Sequence, residues 1–161
     1  MSNDQKDALK WYGKLAMNGS MTTQFNLAYI YNKGAHVPQN YKQAVKWYNM
    51  AALQGSSSAQ CNLGLLYELG NGIKQDYEWA ARLYLEAAEQ GNAIAQCNLG
   101  GLYIEGNGVE KSVEKAYMWF TLAANAGNTD AKKELEQLRK KISKAQIEAS
   151  ERLIEAQETA L

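Results

Sequence analysis

Residues 59–92 read AQCNLGLLYELGNGIKQDYEWAARLYLEAAEQGN, and the spacing of their apolar residues decides the fold class. In the first half, Ala59, Leu63, Leu66 and Tyr67 follow one another at steps of four, three and one, which places them on one face of a helix. In the second half Ala80, Tyr84, Ala87 and Ala88 fall on one face in the same way, alternating an aromatic knob with small gaps suited to tight helix packing. Between them stands Gly70-Asn71-Gly72-Ile73, in which two glycines supply unusual backbone dihedrals and the aliphatic residue returns to the core. The stretch predicts a helix A, a tight turn and a helix B.

The same pattern recurs every 36 residues. Trp11, Trp47 and Trp119 lie on that grid with Leu83 at the remaining point, and the next column is Tyr12, Tyr48, Tyr84 and Phe120. Gly19, Gly55, Gly91 and Gly127 keep the step, as do Leu27, Leu63 and Leu99, then Tyr31, Tyr67 and Tyr103. Ala28, Gly64 and Gly100 form a small-residue column where another helix can approach closely.

Residues able to cap helices mark the ends independently. Ser20, Ser56, Asn92 and Asn128 precede the A helices, and Asp4, Asn40, Asp76 and Ser112 precede the B helices. In the first turn His36 replaces the second glycine, and because histidine tolerates positive φ better than most side chains, it reads as a turn residue and not a catalytic one. Pro38 then sits where no backbone donor is required.

AQCNLGLLYELGNGI from Ala59 and DYEWAARLYLEAAEQGN from Asp76 together resemble the Sel-one-like repeat, a relative of the tetratricopeptide repeat, over residues 4 to about 138. The resemblance implies an all-α fold in which antiparallel helix pairs stack into a right-handed superhelix (solenoid), with scaffold or adaptor roles in protein complexes. Two positions depart from the family pattern: Trp79 replaces the usual charged residue, and Leu83 the usual Trp. The indole has moved by one turn on the same helix, so that unit should pack differently.

The expected organisation is one repeat domain over 1–161: a half repeat at 4–19 with helix B alone, full repeats at 20–55, 56–91 and 92–127, and capping helices at 128–161. Ala131, Leu135 and Leu138 continue the helix A grid. Ser143 and Gln146 then form a capping box that opens a last helix over roughly 144–157. A lone B helix at the start leaves Trp11 or its neighbours uncovered, which predicts weak homodimer formation through the N-terminal half repeat.

Seventeen basic residues balance seventeen acidic ones, which argues against nucleic acid or an anionic membrane and points to a protein partner or to none. No signal peptide or membrane-spanning segment is evident, and the expected location is the cytoplasm, with secretion as a host-directed effector as the alternative. Cys61 and Cys97 are too few for a disulfide framework and lack metal-ligand spacing, so no metal or cofactor is expected.

Ser112-Val113-Glu114-Lys115 matches the SxxK motif of penicillin-recognising serine enzymes, but the companion SDN and KTG elements are absent and Ser112 stands at a cap position. The GNG turns lack the GK of a phosphate loop. The chain is therefore expected not to be an enzyme, a β-lactam serine hydrolase being the least favoured reading.

With Leu27, Leu63 and Leu99 inward, the side chains two residues before and after them point nearly the opposite way: Phe25 and Tyr29, Cys61 and Leu65, Cys97 and Gly101. This line is either the free side of a concave groove or extra packing between neighbouring A helices. Asn26, Asn62 and Asn98 form a ladder beside it, suited either to a bound backbone or to bonds between repeats. The candidate protein-binding groove is Phe25, Asn26, Tyr29, Asn32, Lys33, Asn62, Leu65, Glu68, Asn98 and Glu105. The expected function is a non-catalytic scaffold or adaptor, the alternative a small bacterial toxin-neutralising (immunity) or effector protein.

Overall fold

The computed structural model describes residues 3–35 and 37–160, with side chains from Asp7 onward except at positions 158 and 160. His36, assigned to the first turn, lies outside the described residues. All regular structure among them is helical: α1 (Asn3–Met17), α2 (Met21–Lys33), α3 (Tyr41–Ala52), α4 (Ser57–Leu69), α5 (Tyr77–Glu89), α6 (Ala93–Glu105), α7 (Val113–Asn125), α8 (Thr129–Arg139) and α9 (Lys144–Ala160). The chain divides into two compact units, Met1–Asp76 and Tyr77–Leu161. In the first unit α2 packs on α1 and α3, and α3 on α4; in the second, α6 packs on α5 and α7, and α7 also receives α8 and α9.

Helix starts are set by side-chain oxygens that accept from otherwise unpaired backbone N–H groups. Ser20 accepts from Thr23 N, Asn40 from Gln43 N, Ser56 from Ala59 N and Ser112 from Lys115 N. Asn92 and Asn128 each accept from two N–H groups. Helix α1 instead begins at Asn3, one residue before the expected cap Asp4. The capping box is present, with Ser143 N donating to Gln146 Oε1 at 3.0 Å and Gln146 N to Ser143 Oγ at 3.3 Å, and α9 runs three residues beyond its expected end.

The second glycine of the GNG turn is required by contact as well as by dihedral. Gly108 has φ +67°, and a Cβ there would lie 2.2 Å from the backbone C and O of Tyr77. Gly72, with φ +73°, would place a Cβ 2.5 Å from the backbone C of Tyr41. The turn after each of these A helices thus rests directly on the first residue of the preceding B helix.

The cores follow the repeat columns. Leu27, Tyr48 and Ala44 are buried in the first unit, and Leu99, Phe120 and Ala116 in the second. Leu83 is buried, as Trp47 and Trp119 are at the same column, whereas Trp79 is 49% exposed with the Arg82 guanidinium 5.3 Å from its ring centroid. The smaller leucine fills the inward position, and the indole lies on the outside of α5. At the C-terminal side Ala131, Leu135 and Leu138 are buried, with Ile142, Ile147 and Ile154 packed against their cluster.

A column of buried glutamines, one per repeat, is a structural element that apolar periodicity does not reveal. Gln24 Nε2 donates to Ala16 O at 2.9 Å and Gln96 Nε2 to Ala88 O at 3.1 Å, in each case tying an A helix to the B helix before it. Gln24 Oε1 is satisfied by Gln54 Nε2 at 2.7 Å. Gln96 Oε1 is buried and has no partner among the described residues. The reason is a substitution: Ala126 occupies, two repeats on, the column of Gln54. Ala126→Gln restores the donor, and the expected result is a gain of about 1 kcal/mol in denaturant unfolding, the usual net worth of such a bond. Loss of that gain in Gln96→Leu tells the bond apart from a surface effect.

Candidate functional site

On α2, residues 25, 29, 32 and 33 share a face by helical spacing, and the structure brings them together over α3. Phe25 is half-buried, with its ring 5.8 Å from that of Tyr48 and tilted by 53°. Tyr29 is 46% exposed, and the exposed Lys33 places Nζ 5.9 Å from its ring centroid. Asn32 is half-buried, and its backbone oxygen accepts from Gln39 Nε2 at 2.7 Å. Beneath them Tyr48 is fully buried, and burial pushes its phenol up to about 12. The Asn32 side chain holds back part of that shift without a hydrogen bond of regular geometry, so Tyr48 Oη is unpaired among the described residues. Tyr48 was not among the site residues read from sequence, because its column marks it only as core.

On α4, Leu65 is 38% exposed, while Asn62 and Glu68 are half-buried. Cys61, on the line with Leu65 that reads either as groove or as packing, is only 6% exposed. Burial raises its thiol to about 11, and the nearby Glu68 carboxylate adds to the shift. The first turn of this face is thus packing, and the second is surface. Burial likewise raises Cys97 on α6, with Asp130 and Glu134 of α8 adding to it. Both thiols are protonated and poorly nucleophilic at neutral pH.

Asn98 is half-buried on the same helix, and the exposed Glu105 carboxylate accepts from Asn107 Nδ2. In the amide ladder Asn26 is exposed, and none of Asn26, Asn62 and Asn98 makes a side-chain hydrogen bond among the described residues. Within the first unit the A-helix residues are aromatic with a lysine on α2 and mixed on α4; within the second, acidic residues lie beside α6 and α8.

The SxxK motif is occupied by structural work. Ser112 Oγ accepts from Lys115 N at 3.2 Å and lies 3.3 Å from Glu114 Oε2, and Lys115 Nζ is 5.3 Å from the Tyr103 ring centroid. Among the described residues no cluster of His, Cys, Asp and Glu could hold a metal ion. No helix among them is long and apolar enough to cross a membrane.

Helix pairs repeating at a fixed step, joined by glycine turns and capped alike, define an α/α repeat protein. The chain belongs to the Sel1 repeat family, whose family model matches residues 1–20, 23–56, 57–92 and 93–128. Proteins of this family are generally interaction scaffolds. Among solved structures the chain is similar to a Sel1 repeat protein from Oxalobacter formigenes, with 33% identity and a TM-score of 0.76 over 96% of this chain and 64% of that one. It is also similar to c5321, a protective antigen of uropathogenic Escherichia coli strains displaying an SLR fold, with 30% identity and a TM-score of 0.71 over 93% of this chain. The chain spans 40% of the length of that antigen. Cysteine rich protein B of Helicobacter pylori matches with 26% identity and a TM-score of 0.61, over 80% of this chain and 92% of that one. No curated protein matches the chain at a significant level.

Proposed function

We propose that the chain is a non-catalytic scaffold that holds a segment of a partner protein against its A helices. The carrying observation is the α2 surface, where Tyr29 stands 46% exposed among Phe25, Asn32 and Lys33 above a buried Tyr48. An aromatic ring held on a packed floor and flanked by an amide and a cation is the composition of an interface centre, and it costs little entropy to order. Asn26, Asn62 and Asn98 offer unengaged amides, each able to donate and accept along a peptide backbone. Leu65, Glu68 and Glu105 complete the proposed contacts. The repeat boundaries at 20, 56, 92 and 128 give each repeat one such A helix.

A cross-link test reads this directly. A photoreactive residue at Tyr29 is expected to capture one partner protein. That capture should fall more than about tenfold in Asn32→Ala with Asn62→Ala, the loss of roughly 1.4 kcal/mol or more of binding. Leu53, 80% exposed on the turn after α3, is the control position. Equal capture from Leu53 and Tyr29 sinks the proposal.

The same reading extends to self-association. Helix α1 leaves Trp11 59% and Met17 66% exposed, and we propose that this surface joins two copies of the chain.

A further inference from the structure

Helices α1 and α3 border a groove of about 610 Å³. Lys10 and Lys14 line it from α1 and Lys46 from α3, around Gly13, Met17 and Trp47. Lys10, Lys14 and Met17 follow at steps of four and three, so they share one face of α1. Lys46 Nζ lies 5.0 Å from the Trp47 ring centroid. None of the three ammonium groups is paired with a carboxylate among the described residues. The groove thus combines three lysines with the buried Trp47 and the exposed Met17, and Lys10 stands one residue along α1 from the exposed Trp11.

Charge is divided unequally between the two units although the chain is neutral. Residues 1–76 hold seven Lys and no Arg against four Asp and Glu, a formal +3. Residues 77–161 hold ten Lys and Arg against thirteen Asp and Glu, a formal −3. The most regular acidic stripe in the second unit is on α9. There Glu148, Glu151 and Glu155 are all exposed and follow at steps of three and four, so they line one face over about 10 Å of helix rise. Glu148 is 3.8 Å from the solvent-exposed Lys144, and Arg152 lies on the flank of the stripe. Glu151 and Glu155 are unpaired among the described residues. Ala145 and Ala156 are exposed beside them, which leaves room for a close approach.

We infer that the α1/α3 groove receives the α9 helix of a second copy of this chain, with Lys10, Lys14 and Lys46 against Glu148, Glu151 and Glu155. The inference rests on α1 being an association surface and names what covers it. A symmetric contact of α1 on α1 would set three lysines of one copy against the same three of the other, and like charges at an interface oppose association. The groove of one copy therefore faces a different surface of the next, either as a reciprocal exchange of α9 between two copies or as a one-way contact that builds rings or chains.

Sedimentation velocity of the full chain tests this. The mean mass should rise with concentration at low salt and return to the monomer at about 1 M salt, where charges are screened beyond about 3 Å. The reversed set Lys10→Glu, Lys14→Glu, Lys46→Glu should weaken association more than about tenfold, and so should Glu148→Lys, Glu151→Lys, Glu155→Lys. An equimolar mixture of the two should associate again, because each supplies the charge the other lacks. All six positions are exposed, and circular dichroism checks that the variants fold. Glu→Gln and Lys→Gln sets, judged by the same losses, replace any reversed set that does not fold. If the lysine set loses association while the glutamate set keeps it, or if the mixture stays monomeric, α9 is not the occupant although α1 remains the surface. A wild-type chain that is monomeric at every concentration overturns both readings.

Discussion

Gly108→Ala is expected to lower the unfolding free energy by more than about 3 kcal/mol, which for a chain of this size moves Tm down by roughly 6–12 °C. Two costs add. An alanine at φ +67° sits in the left-handed region, at about 1 kcal/mol. Its Cβ would also lie 2.2 Å from the Tyr77 carbonyl carbon and oxygen, and those are backbone atoms at the start of α5 that cannot rotate away. Gly106 in the same turn separates the costs. Its φ of +77° carries the same backbone penalty, but a Cβ there comes no closer than 3.3 Å to Lys111 Cβ, with the Lys111 backbone N at 3.7 Å in ordinary contact. Gly106→Ala should therefore cost about 1 kcal/mol. Chemical denaturation followed by circular dichroism measures both, and equal losses would show that dihedral strain alone explains the turn.

That contrast also marks what sequence reading reaches. The GNG spacing shows that two glycines take unusual dihedrals, since that requirement is local. It does not show that the second is pressed against a residue 31 positions earlier. Helix ends were legible for the same reason: Ser20, Asn40, Ser56 and Ser112 bond to an N–H three residues on. The exchange of Trp79 and Leu83 was legible as a departure, but only packing against facing helices decides that the leucine goes in and the indole out.

The candidate site divides along the same line. Phe25, Tyr29, Asn32 and Lys33 share a face because 3.6 residues make a turn, and the sequence places them together. Leu65 and Cys61 share a face equally well by that rule, yet one is exposed and the other is covered. Tyr48 beneath Phe25, the glutamine column and the lysine groove between α1 and α3 each depend on two helices meeting. Single-helix periodicity carries no information on such a meeting.

Phe120→Ala should cost about 3–5 kcal/mol, as expected when a large buried ring is removed from a packed core, and its coupling to Gly100 is the sharper result. Phe120 is 3% exposed, and a Cβ on Gly100 would lie 2.7 Å from its Cε1 and 2.8 Å from its Cδ1. Gly100→Ala alone gains about 1 kcal/mol of helix propensity but forces a buried ring to shift, at a cost of about 1–3 kcal/mol. It should be neutral to destabilising. With Phe120→Ala already in place the ring is gone, only the propensity remains, and the same substitution should stabilise by about 1 kcal/mol. In the first repeat Ala28 and Tyr48 occupy the same two columns, so an alanine opposite an aromatic is compatible with the fold when the pair is arranged for it. The reversal of sign in a double-mutant cycle of unfolding free energies is therefore specific to the Gly100–Phe120 contact. If Gly100→Ala has the same effect in both backgrounds, the small-residue column reflects helix composition and not the close approach of α6 to α7.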